Sequence, residues 1–464
     1  MAELPQQPDV TSSEPTQSPT VSAPQTNPVS STPLQPQVKK SRKKLIIIVV
    51  VAVIVVVGIA LAAYFIHKHD TKKLAVQQTK TTSSVTQKPQ TTPVATAAWS
   101  IVNTPNESST SDNELSGLSC LTSTDCVAVG DYNLDNSTGF KTLIEQWNGS
   151  SWSIVNSPNI SGNSGDQLNS VYCTSSSSCW AVGGGEGYGT PAVIEQWNGS
   201  AWSLETSGVA TVGDLLSVTC TSASNCWAVG GSDANANSFS SLVEHWNGSD
   251  WYTVSTPNAN QAEFSSITCT SASNCVAVGD TNTGDGSNSL IEQWNGSAWS
   301  KATTQNPNSY ENSFSSVACT SSSNCMALGL TNSTTATNYI VTSWNGSTWQ
   351  DTTYPNPTNI SSVGPQAITC ISSTDCWIVG NQSATQSSAS TLIALIWNGS
   401  TWSTSSSLTT PPAPAPVAGA QDGPAPPALS AISCTKANYC MTVGSYTNAT
   451  SKNQETLAEL YSTK

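Results

Sequence analysis

The sequence predicts an all-β protein: a seven-bladed β-propeller of four-stranded antiparallel blades, preceded by one transmembrane helix and disordered segments. Three observations carry this. A cysteine pair six positions apart, as in "CTSASNCVAVG" at 269–279, occurs seven times. Each pair sits in a unit of about 50 residues, a period typical of propellers, solenoids and arrays. The two ends of the repeat region hold complementary fragments of one unit.

The elements follow in order. Residues 1–38 are rich in Pro, Gln, Ser and Thr and lack Lys and Arg. Such a segment buries too little apolar surface to offset its ordering entropy, so 1–44 is expected to be a disordered cytoplasmic tail. That tail ends in the basic cluster Lys39, Lys40, Arg42, Lys43 and Lys44. Residues 45–66, "LIIIVVVAVIVVVGIALAAYFI", are uncharged. As a helix they would run about 33 Å, enough to span a bilayer core. The heavier basic cluster precedes them, which places the N-terminus in the cytoplasm and the rest outside. A cleaved signal peptide is the rival reading, but its apolar core is usually shorter, about 7–15 residues. Residues 67–98 read as a flexible extracytoplasmic linker with a reach of roughly 30 Å.

Residues 99–464 form the repeat domain. In the fourth unit "SSITCT", "CVAVGD", "SLIEQW" and "AWSKATT" are short runs rich in β-branched residues and Trp, separated by Gly, Asn, Ser and Asp. This is strand chemistry with turn punctuation, four times per unit, as in one propeller blade. The seventh unit reaches "TLAELYSTK" without a fourth strand. Its counterpart lies at the other end, where "AWSIVNTPN" at 98–106 matches "SWSIVNSPN" at 151–159. Trp99 should therefore pair beside Tyr461 and close a ring, which removes exposed sheet edges.

The cysteines are Cys120 and Cys126, Cys173 and Cys179, Cys220 and Cys226, Cys269 and Cys275, Cys319 and Cys325, Cys370 and Cys376, and Cys434 and Cys440. In each pair the first should end one strand and the second begin its neighbour. Antiparallel partners stand about 4.5–5.5 Å apart, within reach of a disulfide. Free thiols and metal sites are the alternatives. A metal needs about four ligands, and the domain holds one histidine, His245.

"WNGS" turns join six Trp pairs, from Trp147 and Trp152 to Trp397 and Trp402. Asn-Gly suits a tight hairpin with positive φ, and the Trp residues should pack across it between blades. The same motif is a glycosylation sequon at Asn148, Asn198, Asn247, Asn295, Asn345 and Asn398.

Residues 99–464 carry five Lys, no Arg and 25 Asp or Glu. A surface this acidic repels phosphate backbones, so no nucleic acid is expected as partner. One histidine and no spare thiol argue against Ser-His-Asp or Cys-His nucleophilic sites. Paired carboxylates for glycan cleavage remain open, drawn from Asp131, Asp135, Glu186, Asp233, Asp280 and Asp285, which read as loop residues. "DYNLD" puts Asp131, Asn133 and Asp135 at alternate positions, as calcium loops do, but the later ligands of such a loop are missing. The connections between second and third strands and between blades vary from repeat to repeat, and variable loops on a rigid scaffold usually carry binding.

The motif "CWAVG…LIEQWNGSxWS" resembles exported bacterial β-propeller repeats grouped with the Kelch and galactose-oxidase-like propellers. The resemblance covers 99–464 and implies a surface or secreted protein. The Kelch double glycine is missing from most repeats, with "GGG" at 183–185 as an instance, and the copper ligands of galactose oxidase have no counterpart. The resulting expectation is a membrane-anchored, non-enzymatic binding module outside the cell. It needs no cofactor or metal and meets an unknown protein or glycan at its variable loop face. The alternatives are a carboxylate-dependent enzyme acting on glycan and a structural envelope protein.

Overall fold

In the computed structural model the described residues are 97–463, apart from 134–138, 161–164, 186–189, 206–211, 234–238, 258–260, 283–285, 305, 307–310, 333–336, 353–359, 385–389 and 412–424. The expected tail, membrane helix and linker at 1–96 lie outside them. Every regular element among the described residues is a β-strand. No helix there is long and apolar enough to cross a membrane.

The strands form β-propeller-like sets of four, antiparallel throughout each set. In the fourth repeat they are Ala262–Ser271, Asn274–Asn282, Ser287–Trp294 and Trp299–Lys301. Five sheets have four strands, and a sixth has eight because a single parallel bridge, Ser287 to Glu311, joins the fourth and fifth repeats. The first strands of successive repeats lie side by side, and that of the seventh, Ala428–Lys436, lies beside that of the first, Asn113–Thr122. The end fragments pair as the sequence requires: Ala97–Val102 runs antiparallel to Gln454–Thr463, with Trp99 opposite Tyr461.

Among the described residues the core divides into seven clusters, each drawn from two neighbouring repeats. The cluster around Trp180 joins its second strand to Leu215, Val218 and Trp251 of the next repeat. Across the seam, Met441 and Val443 pack with Leu115 and Trp152. Serine hydroxyls reinforce these contacts. Ser119 accepts from the Cys173 amide, Ser170 from Val218, Ser217 from Ile267, Ser266 from Val317, Ser316 from Ile368 and Ser433 from Cys120, at 3.1–3.2 Å. Ser170, Ser217, Ser266 and Ser316 share one position, held by Gly117, Ala367 and Ala431 in the other repeats, whereas Ser119 and Ser433 stand two residues further along the strand.

All seven cysteine pairs are disulfides, with Cα atoms 4.0 Å apart. The strands run past the cysteines. The hairpin turns on Ala272 and Ser273, and a bulge lies between Cys269 and Ser271. The bridge therefore clamps the interior of a hairpin rather than its ends. Replacing Cys269 and Cys275 together by Ala should lower stability by about 2 kcal/mol, the loop-entropy value for so short a ring. Denaturant titration of the double variant measures this, and an unchanged midpoint would contradict it.

The "WNGS" turns differ from expectation in one respect. Gly149 has φ of 95°, but Asn148 is not in the left-handed region. Instead the Asn148 Oδ1 accepts from the Ser150 and Ser151 amides at 2.9 and 3.0 Å, an Asx turn. Trp147 and Trp152 pair across it with ring centroids 5.6 Å apart. The Trp147 indole then donates to the Ser123 carbonyl at 3.2 Å, tying the two turns at this end of the sheet together.

Candidate functional site

A central channel of about 530 Å³ runs between the first strands of all seven repeats. Its wall includes Ser116, Asn169, Leu216, Ser265, Ser315, Gln366 and Ser430, and among the described residues no charged side chain lines it. The first strands begin at the end that carries the variable connections, and there the chemistry changes. Glu114, Asp214 and Glu263 stand immediately before the buried Leu115, Leu215 and Phe264. Asp131 and Asp280 are their neighbours on second strands.

Register brings these acids into pairs. Glu114 is opposite Asp131, and Glu263 is opposite Asp280. Like charges directly opposite in a sheet repel, so such pairs cost stability. Each first-strand acid reaches toward the preceding repeat. A Cβ at Gly231 would come within 2.8 Å of the Glu263 Oε1, and one at Gly184 within 2.6 Å of the Asp214 Oδ1. The glycines leave room for those carboxylates. Asn169 donates to the Asp214 Oδ1 at 2.7 Å.

Glu311 opens the first strand of the fifth repeat and is exposed. Its Oε2 accepts from Asn332 at 2.7 Å. It lies four residues before the channel-lining Ser315, about 13 Å up the strand. Asp280 is half-buried. Burial, and then the charge of Glu311, push its carboxyl above the usual range. Burial alone does the same to Glu114.

A second set of carboxyls lies inside the sheets. Glu145, Glu195, Glu244, Glu292 and Glu459 occupy one third-strand position in five repeats and are fully buried. Burial pushes Glu145 and Glu195 up to about 8 and Glu459 up to about 7. Ser157, from the preceding repeat, donates to both oxygens of Glu195 at 2.9 and 3.1 Å, and also contacts the Thr142 hydroxyl at 2.7 Å. The Thr409 amide donates to Glu459 at 3.1 Å. Neither oxygen of Glu145 has a partner among the described residues. Glu195 and Glu459 thus tie one repeat to the next, and none of the five faces solvent.

The acids singled out from the sequence are thus only partly brought together. Asp131 and Asp280 lie on strands, Asp125–Asn133 and Asn274–Asn282, rather than in loops. Asp135, Glu186 and Asp285 fall outside the described residues, and Asp233 is described in its backbone alone. Of the calcium-like triplet, Asp131 and Asn133 are therefore strand residues. Among the described residues no three His, Cys, Asp or Glu side chains gather to hold a metal. His245 is half-buried. It stacks on Trp227 with centroids 4.1 Å apart and bonds Tyr252 at 2.6 Å through Nδ1. Burial lowers its pKa. Glu114, Glu263 and Glu311 were missed by sequence reading. The signal for Glu114 and Glu263 was an acid just before the first large apolar residue of a first strand, whereas Glu311 stands three residues before Phe314 and carried no such mark.

Neither a protein-family model nor any curated protein matches the sequence. Solved structures do. One is a polysaccharide lyase, an ulvan lyase bound to -[GlcA(1-4)Rha3S]-, with 9% identity, 62% of this chain and 81% of that chain covered, and a TM-score of 0.42. The same type of lyase appears again with 10% identity, the same coverage and a TM-score of 0.38. A protein of unknown function from Dyadobacter fermentans covers 79% of this chain and 98% of its own, at 8% identity and a TM-score of 0.43. The expectation of a non-enzymatic module is corrected at this point. Lyases stand among the similar structures, and the expectation rested chiefly on the lack of His and Cys nucleophiles, with paired carboxylates kept as the alternative. Asp280 is one of those carboxyls, and burial raises its proton affinity. At this level of similarity the match says nothing about this chain's own reaction.

Proposed function

We propose that the chain is a membrane-anchored, extracytoplasmic seven-bladed propeller that hydrolyses a neutral or amino-bearing glycan at the loop-side rim of its channel. The anchor reading is supported by the uncharged stretch 45–66 and the basic residues before it. The blade count is supported by seven repeats and by first strands that meet in a circle.

The observation that carries the reaction is Asp280, a half-buried acid raised in pKa, set against the exposed carboxylate of Glu311. Carboxyls with different environments take different roles. Asp280, protonated, gives its proton to the glycosidic oxygen as the C–O bond breaks. Glu311 takes a proton from the attacking water, whose oxygen bonds to the sugar carbon. A proton returns from Glu311 to Asp280 through solvent, and one water is consumed. An acidic glycan, such as the -[GlcA(1-4)Rha3S]- bound to that lyase, suits this domain poorly. It offers five lysines and no arginine to meet such charges, against 25 acids.

Release of reducing ends from a panel of neutral and amino polysaccharides tests the reading. Asp280→Asn and Glu311→Gln should each cut the rate at least about 100-fold, the usual scale of acid-base catalysis. Turnover unchanged in both variants would remove the assignment, as would the absence of turnover across the panel.

A further inference from the structure

A second cleft, of about 390 Å³, lies at the seam where the N-terminal strand joins the last repeat. We propose that it binds a saccharide that is neutral or carries an amine, and that it excludes acidic sugars. The site is separate from the channel rim and does not depend on the reaction proposed there.

The cleft exists because the chain leaves the sheet after Val102, where the Ala97–Val102 strand ends. Asn106 and Thr104 then turn back on Thr456. The Thr456 amide donates to the Asn106 Oδ1 at 3.0 Å, and the Thr456 and Thr104 hydroxyls stand 2.8 Å apart. Opposite them the connection after Tyr446 forms the other wall. Its anchor is Glu455, whose carboxylate is fixed by Tyr446 at 2.8 Å, Asn448 at 2.9 Å and Ser451 at 3.3 Å. Three donors hold this acceptor in place before any ligand arrives, which reduces the ordering cost of binding. Ile101, 46% exposed, adds an apolar patch, backed in the wall by Pro411, itself buried.

An apolar patch beside fixed acceptors and amides matches a sugar ring, which has a C–H face and a hydroxyl edge. The volume falls in the usual range for small-molecule sites, about 300–1,000 Å³. Among the described residues the lining contains no Lys, Arg or His, and its one charge is Glu455. A sugar carboxylate or sulfate would meet repulsion without compensation, while a hydroxyl or ammonium would find acceptors.

Isothermal titration of the full chain in detergent tests the proposal, with cellotriose, chitosan trimer and trigalacturonate as probes. Cellotriose or chitosan trimer should bind, and trigalacturonate should bind at least ten times more weakly. Ala449→Trp, placed on the exposed part of the wall, should weaken binding tenfold or more. Thr450→Trp serves as the second variant if the first melts below the parent protein. Asp280→Asn should abolish hydrolysis and leave this binding intact, which separates the two sites. Equal affinity for trigalacturonate would overturn the proposal. So would binding indifferent to both Trp variants, or no binding of either other probe.

Discussion

Raising the pH from 5 to 9 should lower the melting temperature of this protein by several degrees, and the buried glutamates are the cause. An exposed glutamate ionises near 4.5, whereas Glu145 and Glu195 hold their protons to about 8 and Glu459 to about 7. Between those values the unfolded chain has released protons that the native sheet still carries. Each rise in pH therefore favours unfolding. The stabilisation is complete below about pH 4.5 and is lost as the pH passes through 7 and 8. One pK unit corresponds to about 1.4 kcal/mol, so a single such group amounts to several kcal/mol across the range. The surface acids repel one another over the same range, and the variants separate the two effects. Glu145→Gln, Glu195→Gln and Glu459→Gln combined should flatten the profile while leaving the surface charge as it was. Melting curves at intervals of one pH unit decide the matter. A profile equally steep in the triple variant would clear the buried set of responsibility.

Gly279→Ala should be the most damaging single methyl group in the fourth repeat. The bulge between Phe264 and Ser266 draws the first strand over the second. A Cβ at 279 would run into the Glu263 carbonyl and come within 2.9 Å of the Phe264 Cα. Backbone on both strands would have to move, and Phe264, fully buried, holds one of them in place. Overpacking of this kind costs about 3 kcal/mol. Ala298→Gly, in the exposed turn of the same repeat, should shift stability by no more than about 0.5 kcal/mol. Denaturant midpoints of the two variants give the comparison, and equal midpoints would refute the account. The same close approach recurs at Gly130 and Gly444, which explains why "AVG" and its relatives end in glycine.

The fold was legible because its instructions are local and repeated. Two cysteines at fixed spacing announce a hairpin. Alternating apolar residues announce strands, and a Trp on each side of Asn-Gly announces the next turn. The match of 98–106 with 151–159 is enough to place Trp99 against Tyr461, and the register agrees. Turn chemistry was less legible. The same Asn-Gly pair serves a left-handed asparagine or an Asx turn, and only φ at Asn148 separates them.

The candidate site was harder to read because it is made between repeats. Asp280 lies 31 positions before Glu311 in the sequence, and nothing in either segment says that one raises the pKa of the other. Glu145 and its equivalents were visible as the acid of "IEQW". An acid in an apolar strand reads as an exposed edge residue until the neighbouring sheet is in place over it. Likewise the seam cleft combines Ile101 with Glu455, which come from opposite ends of the domain.

Ala97 and Thr463 are register partners at the turn end of the last sheet. A load applied at Ala97 and directed away from that end pulls along the strand rather than across it. The hydrogen bonds between Ala97–Val102 and Gln454–Thr463 then resist in shear, sharing the force instead of failing one after another. The Trp99 side chain, lodged against Trp377 with centroids 5.9 Å apart, would have to be dragged through the core before the strand could slide. The strand that leads back toward residues 1–96 is thus held to the last sheet in shear geometry, by hydrogen bonds rather than by a peptide bond.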